Sequence, residues 1–597
     1  MARNRPKILE TRYFGFIVAV VVVGILLGID ASTAILDRLE YKVLDLHFTL
    51  KTIYRPEETQ EGVQRVERNP NVSEDIVIVG VDNRSLAQYG RWPFARSRHA
   101  DLINTFHRVS NPVARERALF LDFFFVETSE EAVDDALLAE AIDQNDRVYL
   151  ETILDYDQPR GDASELLQRH ERLYEQAGKI TNVTGPWTEM LSFFGLQPPL
   201  QPFGQEVAGY GHANLLEDWD KVYRRAPLVL RFSELKEELQ FEDLTPDTSV
   251  DSANYERLVW FDRLGLDHTI QTPLTQEVLD ELWTRLDEEA PPLPIDSNND
   301  GEQDDYTFVI RRYQDNFIPA ITLGLAAEYL NVPLEEIEVR LGEHVRLPDP
   351  QRFNTDTGEW EPYREQIAPA EINEDGETTR QAEYRTLDEI IIPINEDGMM
   401  LINYMGPRSS SSSGGYFTYP VRSFASYASS RVPAIPEMWP PTIGMDNKLV
   451  MVGAFSQGMA EDEKLTPFGL MYGVEIHANA LNTIVMDNFV QFAPTWLDLA
   501  ILIALTLIIA ALTSRLSTLW SGIGGILIII VMFFTITTIF DTSSLVINFA
   551  TPALSIILTF VSIIAYRVMT EERDKQRIRE MFGRYVSPAV VSEILEH

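Results

Sequence analysis

WLDLAILIALTLIIAALTSRLSTLWSGIGGILIIIVMFFTITTIFDTSSLVINFATPALSIILTFVSIIAY, residues 496–566, decides the architecture. It breaks into three apolar runs, 496–513, 518–540 and 546–566, separated by a few polar residues. Each run is close to the ~20 residues that cross a ~30 Å hydrocarbon core. Buried core helices would not need this length or this placement of flanking charge, so three closely packed membrane spans are predicted.

Working outward, a fourth span is expected at 13–30. Basic MARNRPKILETRY precedes the run FGFIVAVVVVGILLGI, which is slightly short for a span. A cleaved signal peptide could use the small residues of DASTA that follow. An uncleaved signal anchor suits the Val, Ile and Leu run better, and both readings export what comes next. Arg3, Arg5, Lys7 and Arg12 before the first span, Arg515 between two spans and Arg567 after the last put those segments on the cytoplasmic side. The loop Asp541–Ser544, without positive charge, falls outside. The expected layout is a cytoplasmic N-terminus (1–12), one span, an extracytoplasmic domain (31–494), three spans, and a cytoplasmic coupling segment (567–597). This predicts a multi-pass protein of the cell inner (plasma) membrane with both termini in the cytoplasm.

The chain has 597 residues, with 91 Asp and Glu against 50 Lys and Arg, a net charge of −41. Nearly all of that excess lies between Ala31 and Pro494. Such a surface repels phosphate backbones, so no nucleic-acid partner is expected. There is no cysteine, which excludes disulfides, thiolate metal sites and cysteine nucleophiles.

After the first span, Ile35, Leu36, Leu39, Val43, Leu46 and Leu50 recur at helical spacing. A polar linker follows. DIVIVGV is a buried strand ending at Asp82, Ala100–Val109 a helix, and ALFLDFFFVE a second strand containing Asp122. EAVDDALLAEAIDQND is another helix and RVYLETIL a third strand. This alternation predicts an α/β domain with a parallel or mixed sheet.

Several separated motifs resemble one family in one order. They are VDNRSLAQYGRWPFARSRHADLI, LFLDFFF, GYGHANLLEDWDKVYRRAPL, MLINYMGP and KLVMVGAFSQGMAEDEKLTPFGLMYGVEIHANALNTIV. Together they resemble the CHASE domain of the second type. The resemblance implies an extracytoplasmic sensor of bacterial adenylate cyclases, histidine kinases or serine/threonine kinases, with three spans following. Ser233–Asp305 and His344–Thr386 depart from it as long acidic or polar stretches. Neither offers a continuous core pattern, so both are expected to be surface insertions or lobes. Ser409–Gly415, SSSSSGG, is a flexible loop by composition.

Four residues are candidates for ligand binding. Asp82 and Asp122 lie at or near the ends of adjacent apolar strands, where open α/β sheets bind ligands. A cation or small polar ligand is one reading, and capping of turns is the preferred one. Trp92 in GRWP is either a ligand wall or, preferably, a packing corner. His477, with Asn479, Asp462 and Glu475, invites a metal, but no HxH or HExxH spacing supports it and a core histidine is preferred. No serine elbow or phosphate loop is present, so no catalytic residue and no metal site are expected in this region.

The end, RVMTEERDKQRIREMFGRYVSPAVVSEILEH, is a mixed-charge helix with Ile578, Phe582 and Tyr585 on one side. A parallel dimeric coupling helix is preferred over a solvated one, which makes a homodimer the expected assembly. Arg567, Ile578, Phe582, Arg584 and Tyr585 are the signal-coupling candidates. MFGRYVSPAVVSEIL resembles the lead-in to the catalytic domain of class III adenylate cyclases. That resemblance implies a cyclase domain beyond His597, which alone would use magnesium and ATP. No cofactor is expected in this chain. The alternatives are a non-enzymatic membrane sensor acting through a separate partner, or the receptor part of a kinase. The extracytoplasmic stimulus is left undefined.

Overall fold

The computed structural model describes residues 14–52, 57–58, 64–65, 69–156, 179–295, 305–368, 371–372, 378–380, 383–409, 417–429, 442–456 and 463–582. The chain divides into a unit of Tyr54–Phe489 and a unit of Met1–Ile53 with Val490–His597.

The second of these begins with helices α1 (Phe14–Ser32) and α2 (Ile35–Thr49). The α2 helix is where the periodicity placed it, but its buried side is Leu36, Leu44, His47 and Phe48. Ile35, Leu39, Leu46 and Leu50 of the expected apolar face are exposed.

In the Tyr54–Phe489 unit the strands and helices alternate as β1 (Ile76–Val81), α3 (Asn83–Tyr89), α4 (Arg96–His107), β2 (Ala118–Leu121), α5 (Ala132–Asn145) and β3 (Val148–Asp155). The second strand is shorter than expected. It stops at Leu121, which leaves Asp122 just past its end. Next come β4 (Ser192–Phe193), β5 (Gly195–Gln197), β6 (Gly209–His212), β7 (Val229–Gln240), β8 (Glu256–Phe261), β9 (Asp267–Thr269) and helix α6 (Gln276–Glu289). Then follow β10 (Val309–Pro319), α7 (Ile321–Tyr329), β11 (Val421–Ser423), β12 (Leu449–Ala454) and α8 (Gly473–Val485).

The main sheet runs β11–β1–β12–β2–β3, with β5 and β6 both paired to β3. Every pairing in it is parallel except β3 with β5. The strands IVIVGV, LVMVGA and ALFL are buried along their whole length, as strands covered on both faces must be. Val79, Leu121, Ile103, Phe106, Leu138 and Ile142 build the core on one face. On the other, α8 packs on β1 and β12 and against α7. The strands that carry Asp82 and Asp122 are therefore not adjacent. β12, from far along the chain, lies between them, with Leu449 opposite both Ile76 and Ala118.

The stretch 233–305, expected as a surface insertion or lobe without a core pattern, has a hydrophobic core of its own. β9–β8–β10–β7–β4 form a second, mainly antiparallel sheet. Leu258, Trp260, Phe308 and Ile310 pack there against Leu279, Leu282 and Leu286 of α6. The helical spacing of those three leucines was the missed signal, diluted by the acidic residues around them. Leu286 is fully buried, so Leu286→Ala is expected to cost about 2–5 kcal/mol in denaturant unfolding of this lobe. His344–Thr386 also contributes to a sheet. His344–Pro348 pairs with Glu338–Arg340 and Glu389–Pro393. Most of Ser409–Gly415 lies outside the described residues.

The chain ends with β13 (Gln491–Phe492), α9 (Thr495–Arg515), α10 (Thr518–Ser543), β14 (Leu545–Val546) and α11 (Ala550–Phe582). Among the described residues four helices are long and apolar enough to cross a membrane: α1, α9, α10 and the Ala550–Thr570 part of α11. Close approach is built from small residues, as membrane helices require. A side chain at Gly15 would meet Ser514 Oγ at 2.3 Å, and Thr506 Oγ1 bonds Ser555 Oγ at 2.8 Å. Two boundaries are corrected. Asp541–Ser543 belong to α10 rather than to a loop. Residues 546–549 precede α11, because Leu545–Val546 pair with Gln491–Phe492 as strands. The last helix then runs without a break past Tyr566 to Phe582.

Candidate functional site

At the carboxyl ends of the parallel strands Asp82 is engaged in capping. Asp82 caps α3, accepting from Ser85 N at 2.9 Å and Ser85 Oγ at 2.6 Å. It also accepts from Ser423 Oγ at 2.8 Å, which ties the ends of β1 and β11 together. Asp122 donates its backbone N–H to Val452 O at 2.9 Å. Its carboxylate sits so close to Gly453 that a Cβ there would lie 3.1 Å from Oδ2. Trp92 packs on Phe94, His99 and Phe123 with ring centroids 5.2, 5.9 and 4.9 Å away. This is a packing corner.

His477 lies on α8, so Glu475 and His477 share neither a strand face nor a helix face. The imidazole is buried edge-on to Phe120. Asp462 lies outside the described residues. The polar residues of GVEIHANALNTIV instead hold loops. Asn479 Oδ1 accepts from Met405 N at 3.0 Å and Thr483 Oγ1 from Asn403 N at 3.1 Å. Asn482 Oδ1 accepts from Ser73 N at 2.8 Å. The motifs MLINYMGP and GVEIHAN thus belong to one hydrogen-bonded assembly. Among the described residues no group of three His, Asp or Glu could hold a metal ion.

Burial lowers His99 and His212 to about 3 and His477 to about 4, the charge of His477 adding to the shift at His212. Burial raises Glu475 to about 7. The imidazoles stay neutral when folded but protonate near 6.5 when unfolded. Their stabilisation is complete above pH 6.5 and is lost as pH falls towards 4. Glu475 acts in the opposite sense: its contribution is complete below its unfolded value of 4.5 and is lost as pH rises through 7. Three groups outweigh one, so the melting temperature is expected to fall on acidification from pH 7 to pH 5. His99→Phe, in a pocket lined by Phe123, Phe125 and Phe424, should flatten that limb in thermal melts.

The second set of functional side chains surrounds the start of α11. Glu40 of α2 reaches its N-terminus. Oε2 accepts from Phe549 N at 2.9 Å and Ala550 N at 3.0 Å, and Oε1 accepts from Thr551 N at 2.8 Å. Burial pushes this carboxyl up, and the three N–H groups draw it back down. Asp498 Oδ1 accepts from Asn548 N at 3.1 Å. Thr52 donates to Asp541 through N at 3.0 Å and Oγ1 at 2.6 Å. Gln491 N and Ala493 N bond Ser544 O and Val546 O. Residues just inside both covalent connections to the Tyr54–Phe489 unit are thus anchored on one turn, 541–551. At the other end of the span, Arg567 donates to Thr513 O, and to Leu516 O at 3.4 Å, clamping the last carbonyls of α9. Ile578 and Phe582 fall on the continuous helix α11, while Arg584 and Tyr585 lie outside the described residues.

Glu40, Thr52, Asp498 and Asp541 escaped the sequence reading because their partners are hundreds of residues away or are backbone groups. The only available signal was a carboxylate at the middle of an amphipathic helix.

A family description for the CHASE2 domain matches residues 17–512, from the first span into α9. The chain belongs to the CHASE2 domain family. It is a multi-pass membrane protein with an extracytoplasmic sensor of that type. No curated protein and no solved structure matches the chain.

Proposed function

We propose that the chain is the receptor part of a transmembrane signalling protein whose output is a class III adenylate cyclase. One observation carries the reading. Helix α11, whose N-terminus is held by Glu40, continues unbroken from Ala550 to Phe582. A change in the sensor that moves either anchored segment bears directly on the helix that leads to the output. Support for the cyclase comes from MFGRYVSPAVVSEIL, residues 581–595, and its resemblance to a cyclase lead-in. In this reading two copies associate, the termini are cytoplasmic in an inner (plasma) membrane, and magnesium and ATP serve only the downstream catalytic domain. Typical coupling of this kind transmits ~1–3 kcal/mol.

The native gene product, reconstituted with ATP and magnesium, should form cyclic AMP. No cyclic AMP, with a separate protein captured by the 567–597 segment, would favour a non-enzymatic sensor. A nucleotide-dependent phosphoryl transfer would favour a kinase receptor.

A further inference from the structure

We propose that the polar face of the second sheet binds a small organic carboxylate with a flat apolar body, and that this is the stimulus site of the sensor. The proposal rests on the receptor reading for its physiological meaning and adds the ligand class.

Alternation along β7, β8 and β10 sends Leu258, Trp260 and Ile310 into the α6 core. Arg231, Ser233, Arg257, Tyr313 and Asp315 then share the opposite face. Of these, Arg231 and Tyr313 reach a cleft of about 880 Å³ whose walls include Tyr156, Phe194, Phe261 and the Arg285 and Arg311 side chains. Arg257 is satisfied. Its Nε bonds Asp315 Oδ2 at 2.7 Å, Nη1 bonds Asp267 Oδ2 at 3.2 Å and Thr269 Oγ1 at 3.1 Å, and Nη2 bonds Ser192 Oγ and Ser233 Oγ at 3.0 and 2.9 Å.

Arg231 is not. It is 1 % exposed, and Nη2 alone is hydrogen-bonded, to Met190 O and Ser192 Oγ. Nη1 has only a 3.5 Å ion-pair approach to Asp315, whose oxygens are already taken by Ser233 and Arg257. Among the described residues Arg231 Nε and Nη1 and the hydroxyl of Tyr313 have no hydrogen-bond partner, although both residues line the cleft. Leaving buried donors unmade costs ~1–3 kcal/mol each, more for charged groups. The missing component is therefore a set of acceptor oxygens.

Both guanidinium forks of Arg231 include Nη2, whose two hydrogens go to Met190 O and Ser192 Oγ, so a carboxylate would be met by single charge-assisted hydrogen bonds from Nε or Nη1. Arg311 and Arg285 also line the cleft, paired with Glu238 at 2.8 Å and Glu289 at 3.9 Å, alongside the carboxylates of Glu189 and Asp267. Phe194 lies 5.5 Å from Phe261 and 5.2 Å from Tyr313, ring centre to ring centre, so the wall offers aromatic faces to a flat body.

The test is calorimetric titration of the 597-residue chain in lipid nanodiscs with benzoate, acetate, inorganic phosphate and neutral benzyl alcohol. Saturable benzoate binding, weaker acetate binding and no benzyl alcohol binding are expected. Tyr313→Phe removes only the hydroxyl, and Arg231→Lys keeps the charge but loses the Nε and Nη1 donors; each should weaken benzoate about tenfold, the scale of one hydrogen bond to a charged group. Absence of benzoate binding at millimolar concentration, tighter binding of phosphate, or unchanged affinity in Tyr313→Phe with its melting temperature preserved would each overturn the proposal. Benzoate binding that leaves cyclic AMP formation by the native gene product unchanged would keep the carboxylate-binding site but overturn its role as stimulus site, while the receptor reading fails only if no cyclic AMP is formed.

Discussion

Arg224→Met is expected to destabilise the sensor by about 3–5 kcal/mol, the usual cost of breaking a buried ion pair from one side. Arg224 is 1 % exposed. Its Nη1 reaches Asp218 Oδ2 at 2.9 Å and Asp220 Oδ1 at 2.8 Å, while Nη2 reaches Asp220 Oδ2 at 2.8 Å. Arg225 completes the group at 2.7 Å from Asp218 Oδ1. The backbone here holds the MLINYMGP segment: Ile402 N donates to Arg224 O at 2.9 Å, and Arg225–Pro227 pair with Met399–Leu401. Methionine fills much of the volume but removes the buried guanidinium from Asp220 and leaves Asp218 with Arg225 alone of the two arginines. Denaturant unfolding of Arg224→Met, Asp220→Asn and the double variant measures the effect. If the two single losses simply add, the carboxylate–guanidinium contact is not the source of the loss.

Glu40→Ala is expected to release the start of α11. Three backbone N–H groups lose their acceptor at a helix N-terminus, where the macrodipole also favours negative charge. The loss should reach about 2 kcal/mol, the upper end for an N-cap, because one carboxylate serves three donors. Amide exchange at residues 549–551 should then accelerate ~30-fold, the equivalent of that free energy. Glu40→Gln, which keeps one acceptor oxygen, should show a smaller change. In the native gene product Glu40→Ala should also weaken the response of the output to the sensor. Unaltered exchange at 549–551 would mean that Glu40 does not hold the helix.

The two predictions concern residues of different legibility. Asp218, Asp220 and Arg224 stood inside a motif whose resemblance was visible, yet their contact was not, since pairing needs the turn at Lys221, which has a φ of 67°. Glu40 belonged to no motif. Its helix was predicted correctly, but of the apolar residues recurring at helical spacing only Leu36 is buried, while Ile35, Leu39, Leu46 and Leu50 are exposed, because apolar periodicity cannot tell which residues find a partner. The acidic lobe failed for the opposite reason. The leucines at 279, 282 and 286 were dispersed among Asp and Glu, and the β10 partner of Leu258, Arg312, lies beyond a polar stretch.

The family and membrane architecture were written locally. Runs of about twenty apolar residues, the charges beside them, and buried strands alternating with helices each depend on neighbours in sequence, so the spans and the α/β order could be read directly. What depended on distant pairing could not. The insertion of β12 between β1 and β2 means that Asp82 and Asp122 do not lie at the ends of adjacent strands. The crossing of Glu40 to residues 549–551 tied α2 to the start of α11. The stacking of β7, β8 and β10 left Arg231 and Tyr313 short of acceptors in a cleft. Hydrogen bonding and burial are satisfied or left unsatisfied only once the chain has closed on itself, and those assignments belong to the tertiary structure.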